Sequence, residues 1–280
     1  MKLSRIPTGI DSLDNILEGG LPSGSSVLLL GELGAGDFEF AITSCARLLK
    51  CIDVRDTSVS LPDKVIYISL TRSESDIMKE IAFSFPEYYE VLQKNIQEQR
   101  FEFKDFSDSY FAGSFIPASW LSSSEAAVSI ESLKWSEEKK NLMDALIGYL
   151  DKNAKGSLVV IDSLTSLAQY CHERIDWSDM ILFLRGLQRA SKNWDGLIYA
   201  ILNTRIFDIG KQEEIMECMD GIFVFDWEKL GPTQRNRIMY MKKFRGLLPT
   251  VDQENIVNFE TIINSQKGFE VSNIKRVRGR

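Results

Sequence analysis

A short glycine-rich segment between an apolar run and a helical pattern constrains the fold more than any other feature of the sequence. Residues 25–30 form a short, mostly apolar run, which is typical of a buried strand. The run leads into Gly31-Glu32-Leu33-Gly34-Ala35-Gly36, and a helical pattern follows from about residue 37 to residue 50. Glycine tolerates the tight backbone turns that such a junction requires. The sequence therefore predicts a strand, a glycine loop and a helix in direct succession.

Similar alternation of strand and helix patterns continues along the chain. We predict further strands at 64–69, 100–106, 157–162, 196–202, 221–226, 237–242 and 255–263, and helices near 75–85, 137–153, 177–193 and 213–219. Strands that are apolar on both faces and alternate with helices indicate a mostly parallel sheet covered by helices. The last strands follow one another without intervening helices. The predicted fold class is therefore α/β, with antiparallel strands added at the C-terminal edge.

Length and composition favour one globular unit. The chain has 280 residues, of which 44% are hydrophobic and 26% charged, so we predict a single domain spanning residues 1–280. Residues 107–136 are rich in serine with interleaved aromatic residues, and they are too apolar for a free linker. We interpret them as a surface insertion that serves as a docking loop. The alternative is a loop that folds back onto its own domain.

Charge and cysteine usage exclude several functional classes. The net charge of −7 argues against an indiscriminate grip on nucleic acid, which depends on neutralising phosphates, although the chain ends in a basic tail (Lys275, Arg276, Arg278 and Arg280). Four scattered cysteines and one histidine, His172, give no metal-binding pattern, so we expect no metal and reduced thiols. The sequence shows no signal peptide and no apolar run long enough to span a bilayer. We therefore predict a cytoplasmic protein without membrane insertion.

Two residues immediately after the glycine loop bear on its chemistry. The phosphate-binding pattern G-x-x-x-x-G-K-[ST] places a lysine on the β- and γ-phosphates and a hydroxyl on Mg²⁺. Here those positions hold Asp37 and Phe38. Two unit charges ~4 Å apart interact by about 4 kcal/mol. Replacing the attraction of a lysine with the repulsion of an aspartate therefore lowers the affinity for a nucleotide phosphate by orders of magnitude. We predict that the carboxylate of Asp37 fills the anion site itself, as an N-cap. Alternatively, residues 31–36 are only a tight turn that never bound a nucleotide.

Five segments in the same order resemble the KaiC and RadA branch of the RecA superfamily. Residues 6–14 (IPTGIDSLD) and 19–24 (GGLPSG) resemble the opening of that family, just before its phosphate loop. Residues 158–165 (LVVIDSLT) are similar to its Walker B strand, 219–222 (MDGI) to a later strand start, 243–246 (KFRG) to its K-M-R-G segment and 266–271 (QKGFEV) to its closing strand. The resemblance implies a RecA-type fold over most of the chain.

Roles for individual residues follow from this resemblance. It implies that Asp162, with Ser163 beside it, supports Mg²⁺, and that Lys243 and Arg245 reach into the nucleotide site of a neighbouring subunit. Family ATPases carry a catalytic carboxylate after the second strand, but this chain has Thr71 and Arg72 there. Glu74 lies slightly downstream, in the wrong register. We therefore predict a degenerate site without catalytic residues, made of Gly31, Glu32, Leu33, Gly34, Ala35, Gly36, Asp37 and Phe38.

The loop, together with residues 38–40 (FEF), Tyr110-Phe111 and 117–120 (PASW), is similar to a subgroup of archaeal KaiC-like proteins labelled HTR-like. That resemblance implies an archaeal, signalling-related protein with a lysine-less loop. Our leading hypothesis is a catalytically impaired relative that regulates or scaffolds by contacting a protein partner or its own subunits. We expect no cofactor, with weak ATP or ADP binding left open. The alternatives are a weak ATPase completed in trans by Lys243 and Arg245, and a DNA-recombination accessory protein, which the acidic charge disfavours.

Overall fold

The structure is a computed structural model that describes residues 4–54, 60–112, 114–117, 120, 141–229, 231, 234–245 and 258–272. Its elements follow the chain in this order: β1 Arg5–Ile6, α1 Asp11–Ile16, β2 Leu21–Pro22, β3 Ser25–Gly31, α2 Asp37–Asp53, β4 Lys64–Ser69, α3 Glu74–Ser84, α4 Pro86–Gln97, β5 Phe101–Asp105, α5 Ser107–Phe111, α6 Asn141–Asn153, β6 Ser157–Asp162, α7 Leu164–Arg174, α8 Trp177–Trp194, β7 Leu197–Asn203, α9 Ile209–Glu217, β8 Gly221–Lys229, β9 Arg235–Phe244, β10 Phe259–Asn264 and β11 Gly268–Val271.

A nine-stranded sheet organises these elements. Its strand order is β11-β10-β9-β8-β3-β7-β6-β4-β5. The six strands from β8 to β5 are parallel, and β9, β10 and β11 join in antiparallel pairs at one edge. The α/β class and the antiparallel C-terminal edge that the sequence predicts are thus confirmed. The strand of the glycine loop, β3, lies between β7 and β8 in the middle of the sheet.

Two apolar layers cover the sheet, one on each face. Helices α1 to α4 pack with one set of alternating strand residues, including Val27, Leu29 and Tyr67. Helices α6 to α9 pack with the other set, including Leu28 and Ile68. Alternate residues of one strand point to opposite faces, so a strand buried on both sides is apolar throughout. This explains the continuous apolar runs in the sequence.

Two helices that the sequence analysis missed lie beside predicted elements. Helix α4 begins at Pro86 and follows α3 directly, and a proline at the first helical position is a recognised start signal. Helix α7 follows β6, and the side chain of Ser163 accepts a hydrogen bond from the backbone N–H of Ser166. Serine is a preferred N-cap residue. Both helices therefore carried a start signal that the apolar periodicity alone did not show.

The proposed insertion lies largely outside the described residues. Within 107–136, α5 is ordered, and Arg174 of α7 donates a hydrogen bond to the carbonyl of Ala112. The basic tail also lies outside the described residues. None of the helices in the described part of the chain combines the length and the apolarity needed to cross a bilayer. No group of three or more histidine, cysteine, aspartate or glutamate side chains among those same residues has a geometry that would hold a metal ion.

Candidate functional site at the glycine loop

The glycine loop lies at the carboxyl edge of the parallel strands, between β3 and α2. Gly34 and Gly36 have φ angles of 73° and 115°, a region that side chains with a Cβ atom rarely adopt. A Cβ atom at Gly36 would lie 3.0 Å from the ring of Phe269. Helix α2 begins immediately after this loop, with Gly36 as its N-cap. The strand, loop and helix succession that the sequence predicts is thus confirmed.

Asp37 occupies the start of α2 in a different position from the one predicted. Because Gly36 is the N-cap, Asp37 is the first residue of the helix, and the prediction of an N-cap carboxylate is wrong by one residue. Its side chain nevertheless lies on the loop: a Cβ atom added to Gly31 would fall 2.4 Å from the carboxyl carbon of Asp37. Only a glycine at position 31 leaves room for this carboxylate. Asp37 is 8% exposed, so the group is almost fully removed from water.

Burial controls the ionisation of Asp37. It raises the pKa of the Asp37 carboxyl to about 7, and the charges of Glu39 and Asp162 act in the same direction. Backbone N–H groups of Asp37 and Phe38 oppose the rise, because they donate to the charged form. The carboxylate therefore uses N–H groups at the helix start, which are the donors that would otherwise meet an external anion.

Asp162 is the last residue of β6, and its charge acts on Asp37 of the loop. The hydroxyl of Tyr67 on β4 donates to Asp162 Oδ2 over 2.6 Å, and burial raises the pKa of Asp162 although this bond and Arg72 oppose it. Ser163 caps α7, and its hydroxyl lies 3.1 Å from that of Ser166. The structure thus gives Asp162 a tyrosine partner and gives Ser163 a helix-capping bond.

Arg72 lies just after β4, at the position where the sequence resemblance predicts that a catalytic carboxylate has been lost. Strand β4 ends at Ser69, whose hydroxyl donates to the carbonyl of Arg72 over 2.6 Å. The guanidinium of Arg72 pairs with Glu80 of α3 and lies 5.7 Å from the centre of the Phe38 ring. Thr71 is half-buried beside it. A carboxylate does come near Asp162, but it is Glu80, from a helix, and Arg72 already neutralises it.

Glu74 does not substitute for the absent carboxylate. It is the first residue of α3, and its nearest acidic influence is Asp105, at the end of β5, with burial as the main cause of its raised pKa. Both side chains line a separate polar cleft together with Lys79. Strand β5 is the outermost parallel strand, so Glu74 faces the edge of the sheet and not the glycine loop.

Two side chains that the sequence analysis did not assign to the site, one on β8 and one on β9, donate hydrogen bonds to the loop. The indole N–H of Trp227 donates to the carbonyl of Leu33 over 3.2 Å, and Arg237 Nε donates to the carbonyl of Gly34 over 2.9 Å. The Arg237 guanidinium also lies 4.6 Å from the centre of the Trp227 ring. Glu32, at the start of the loop, pairs with Arg205, which follows β7. Trp227 was visible in the sequence only as an aromatic residue at the end of a strand, because its pairing with Arg237 depends on the hairpin register.

Lys243 and Arg245 lie at the opposite edge of the sheet. Strand β9 runs antiparallel to β8, so Phe244 pairs with Gly221 at the amino edge. There Lys243 donates to the carbonyls of Met216 and Glu217, and Arg245 donates to the carbonyl of Glu217. These carbonyls end α9, where cations are favourable. In this chain, then, both cations cap a helix of their own subunit and do not meet its glycine loop.

This fold and this loop define the class of the protein. A family model described as "ATPase: KaiC" matches residues 6–274. The chain therefore belongs to the KaiC family, and the predicted resemblance to the KaiC branch and its RecA-type fold is confirmed.

Particular relatives fall in the same family. The chain is 32% identical over 82 residues to the circadian clock oscillator protein KaiC of Prochlorococcus marinus (strain MIT 9313), and 29% identical over 82 residues to that of Parasynechococcus marenigrum (strain WH8102). Those residues are 29% of this chain in both cases, and only 15% and 14% of the two relatives.

Solved structures share the fold over nearly the whole chain. The KaiC-like protein PH0186 of Pyrococcus horikoshii OT3 matches with a TM-score of 0.65 and 20% identity, over 96% of this chain and 99% of its own. The flagellar accessory protein FlaH of Methanocaldococcus jannaschii matches with a TM-score of 0.66 and 14% identity, over 98% and 100%. At such identities the likeness concerns the fold alone.

Proposed function

We propose that the chain is a KaiC-family protein that no longer holds or hydrolyses ATP and that acts by contacting other proteins. The observation that carries the first half is the buried carboxylate of Asp37, which packs on Gly31 of the glycine loop. Above its pKa of about 7 this group is negative and opposes the triphosphate that a lysine would attract; below that pH it is neutral and still supplies no positive charge. Unit charges about 4 Å apart interact by roughly 4 kcal/mol at a surface-like dielectric. Phe38 and Arg72 supply neither a magnesium ligand nor a carboxylate to orient water.

The second half of the proposal concerns partners. Proteins of this family form rings by heterologous contacts, and a member without turnover is able to join or cap such a ring. The net charge of −7 favours a protein partner over nucleic acid, and the cytosol is the proposed compartment. Completion of the site in trans is less favoured, because Lys243 and Arg245 already cap α9.

Nucleotide binding tests the first half directly. We expect isothermal titration with ATP or ADP, with and without Mg²⁺, to give no heat of binding, and we expect no phosphate release. The double variant Asp37→Lys/Phe38→Thr should gain ATP affinity, because it restores both missing groups. The charge-matched control is Glu39→Lys/Phe38→Thr, which keeps Asp37 in place.

Three results would count against this half of the proposal: tight ATP binding by the natural chain, phosphate release that disappears in Asp162→Ala, or equal gains in the two double variants. Light scattering, with the chain alone and mixed with an active KaiC-family protein, tests the second half. A monomer that binds neither itself nor that protein contradicts the contact role.

A further inference from the structure

An open apolar groove of about 620 Å³ lies between α6 and α8, on the face of the sheet opposite α2. Its lining residues on α8 run from Asp179 through Leu182, Gly186 and Ala190 to Trp194. Their spacing of three or four residues places them on one face of that helix. At 1.5 Å per residue this stripe is about 22 Å long. It has the length of four helical turns.

Two apolar side chains of the groove, one on each helix, are exposed to an unusual degree. Leu182 is 68% exposed and Ile147 of α6 is 46% exposed, although both lie beside buried neighbours of the same helices, Leu184 and Leu146. Apolar side chains from two neighbouring helices form the kind of groove in which a third helix packs its own apolar face.

A glycine lies in the middle of each helix, and both line the groove. A Cβ atom added to Gly148 or Gly186 would meet nothing within 4 Å. The packing of the described residues therefore does not require glycine at either position. Glycine is a poor residue for a helix interior, so both positions lower helix stability without an internal reason. What they provide is space at the floor of the groove for a closely approaching chain.

The charged residues that line the groove have one sign. Asp144 and Asp151 of α6 and Asp179 of α8 are its charged lining residues among those that the structure describes. An apolar floor with an acidic rim is complementary to an amphipathic helix whose apolar stripe is flanked by lysine or arginine.

We infer that this groove docks a basic amphipathic helix of a partner protein. Its apolar side chains lie between α6 and α8 over Gly148 and Gly186, and its cations face the three aspartates. This inference deepens the contact half of the proposed function and rests on it. The groove is remote from the glycine loop, so its binding does not depend on whether ATP is hydrolysed.

A synthetic helical peptide of about 18 residues, with leucine and alanine on one face and lysine on its flanks, is the probe. We expect the full chain to bind it in fluorescence anisotropy. We expect Gly186→Leu to weaken binding about tenfold or more, because the added side chain would fill the space at the centre of the groove that the peptide occupies. We expect the melting temperature to rise, because leucine favours the helix. A lost interaction in a more stable protein is not explained by misfolding.

Two matched comparisons isolate the charge and the site. Asp144→Asn/Asp151→Asn should weaken binding, whereas Asp11→Asn/Glu90→Gln, which removes the same charge elsewhere, should not. Phe83→Leu alters another exposed apolar residue and should have no effect. Equal binding by Gly186→Leu, or equal losses in the two charge variants, would overturn the inference.

Competing occupants give different results. A dimer that dissociates in Gly186→Leu would show that a second copy fills the groove, and photocrosslinking from position 147 to the same chain would show an internal occupant; either result overturns the inference. If the chain shows no ATP turnover and does not bind the probe, the groove inference is wrong and the proposal of a degenerate nucleotide site stands. If the chain hydrolyses ATP and binds the probe, the degenerate-site proposal is wrong and the groove inference stands.

Discussion

Asp37 determines what the glycine loop is able to do. An arginine or lysine at this position would turn toward a phosphate, but a carboxylate can satisfy the N–H groups at the start of α2 by itself. Above its pKa of about 7, Asp37 then gives the loop a built-in anion. The same residue explains why position 31 is glycine, because a Cβ atom there would collide with the carboxyl group.

The raised pKa of Asp37 has a consequence for stability. Its folded-state pKa, about 7, exceeds the ordinary value, so the folded chain binds this proton more tightly than the unfolded chain does. The associated stability is fully present below about pH 4 and is lost as pH rises through about 7. We expect Asp37→Asn to raise the free energy of unfolding at pH 8 by roughly 2–4 kcal/mol, with little change near pH 4.

Urea unfolding of both proteins at pH 4 and pH 8 measures this difference. Glu39→Gln, two residues further along α2, is the control for removing a negative charge from the helix start, where such charges are favourable. Parallel pH profiles for Asp37→Asn and the natural chain would show that Asp37 is ordinary, and that the carboxylate is not held out of water.

The loop acts with the hairpin of β8 and β9 at the scale of elements. Trp227 and Arg237 belong to different strands, and the antiparallel register places them opposite one another. Together they hold two successive loop carbonyls, those of Leu33 and Gly34. The β8–β9 hairpin, next to β3 in the sheet, thereby fixes the loop that follows β3.

We expect Arg237→Met to loosen the loop without unfolding the chain. Loss of one hydrogen bond is worth about 1 kcal/mol, which corresponds to about fivefold faster local opening. Hydrogen exchange of the backbone N–H groups of Glu32 and Ala35, which bond to Phe225 and Glu32, reports this opening. Arg235→Met is the matched control, because Arg235 lies over the same Trp227 ring at 4.9 Å. Equal acceleration in both variants would mean that the bond to Gly34 is unimportant.

Most elements of the sheet could be predicted from apolar runs, because strands buried on both faces carry a continuous signal. Strands β4 and β6 have the predicted bounds, Lys64–Ser69 and Ser157–Asp162. The substituted positions 37, 38, 71 and 72 could also be read directly, because each stands at a fixed offset in a motif. Contacts between distant segments could not: the hydrogen bonds from Tyr67 to Asp162 and from Trp227 to Leu33 depend on strand order and strand register. Lys243 and Arg245 illustrate the same limit, since a motif gives their identity but not the edge on which they lie.

At the scale of the whole molecule, the C-terminal strand β11 packs against α2, the helix that follows the glycine loop. Phe269 of β11 is fully buried and lies 5.4 Å from Phe40 of α2 and 5.7 Å from Phe225 of β8, measured between ring centres. Its backbone N–H donates to the hydroxyl of Thr43 over 2.8 Å. The last described strand thus completes the apolar layer that covers the first helix after the glycine loop.

This closure tests the prediction that residues 1–280 form a single domain. Removing the Phe269 ring leaves a cavity in a close-packed layer, so Phe269→Ala should lower the free energy of unfolding by about 3–5 kcal/mol. Trp194 lies on the opposite face of the same sheet, beside α6. If the two layers unfold together, Phe269→Ala shifts the denaturation midpoint of Trp194 fluorescence by as much as that of far-ultraviolet circular dichroism. A variant in which the other tryptophans are phenylalanine isolates the Trp194 signal. Strands such as β3 contribute side chains to both layers, so we expect the two signals to shift together. A shift in circular dichroism with an unchanged Trp194 transition would contradict a single domain, because it would show that the two layers unfold as separate units.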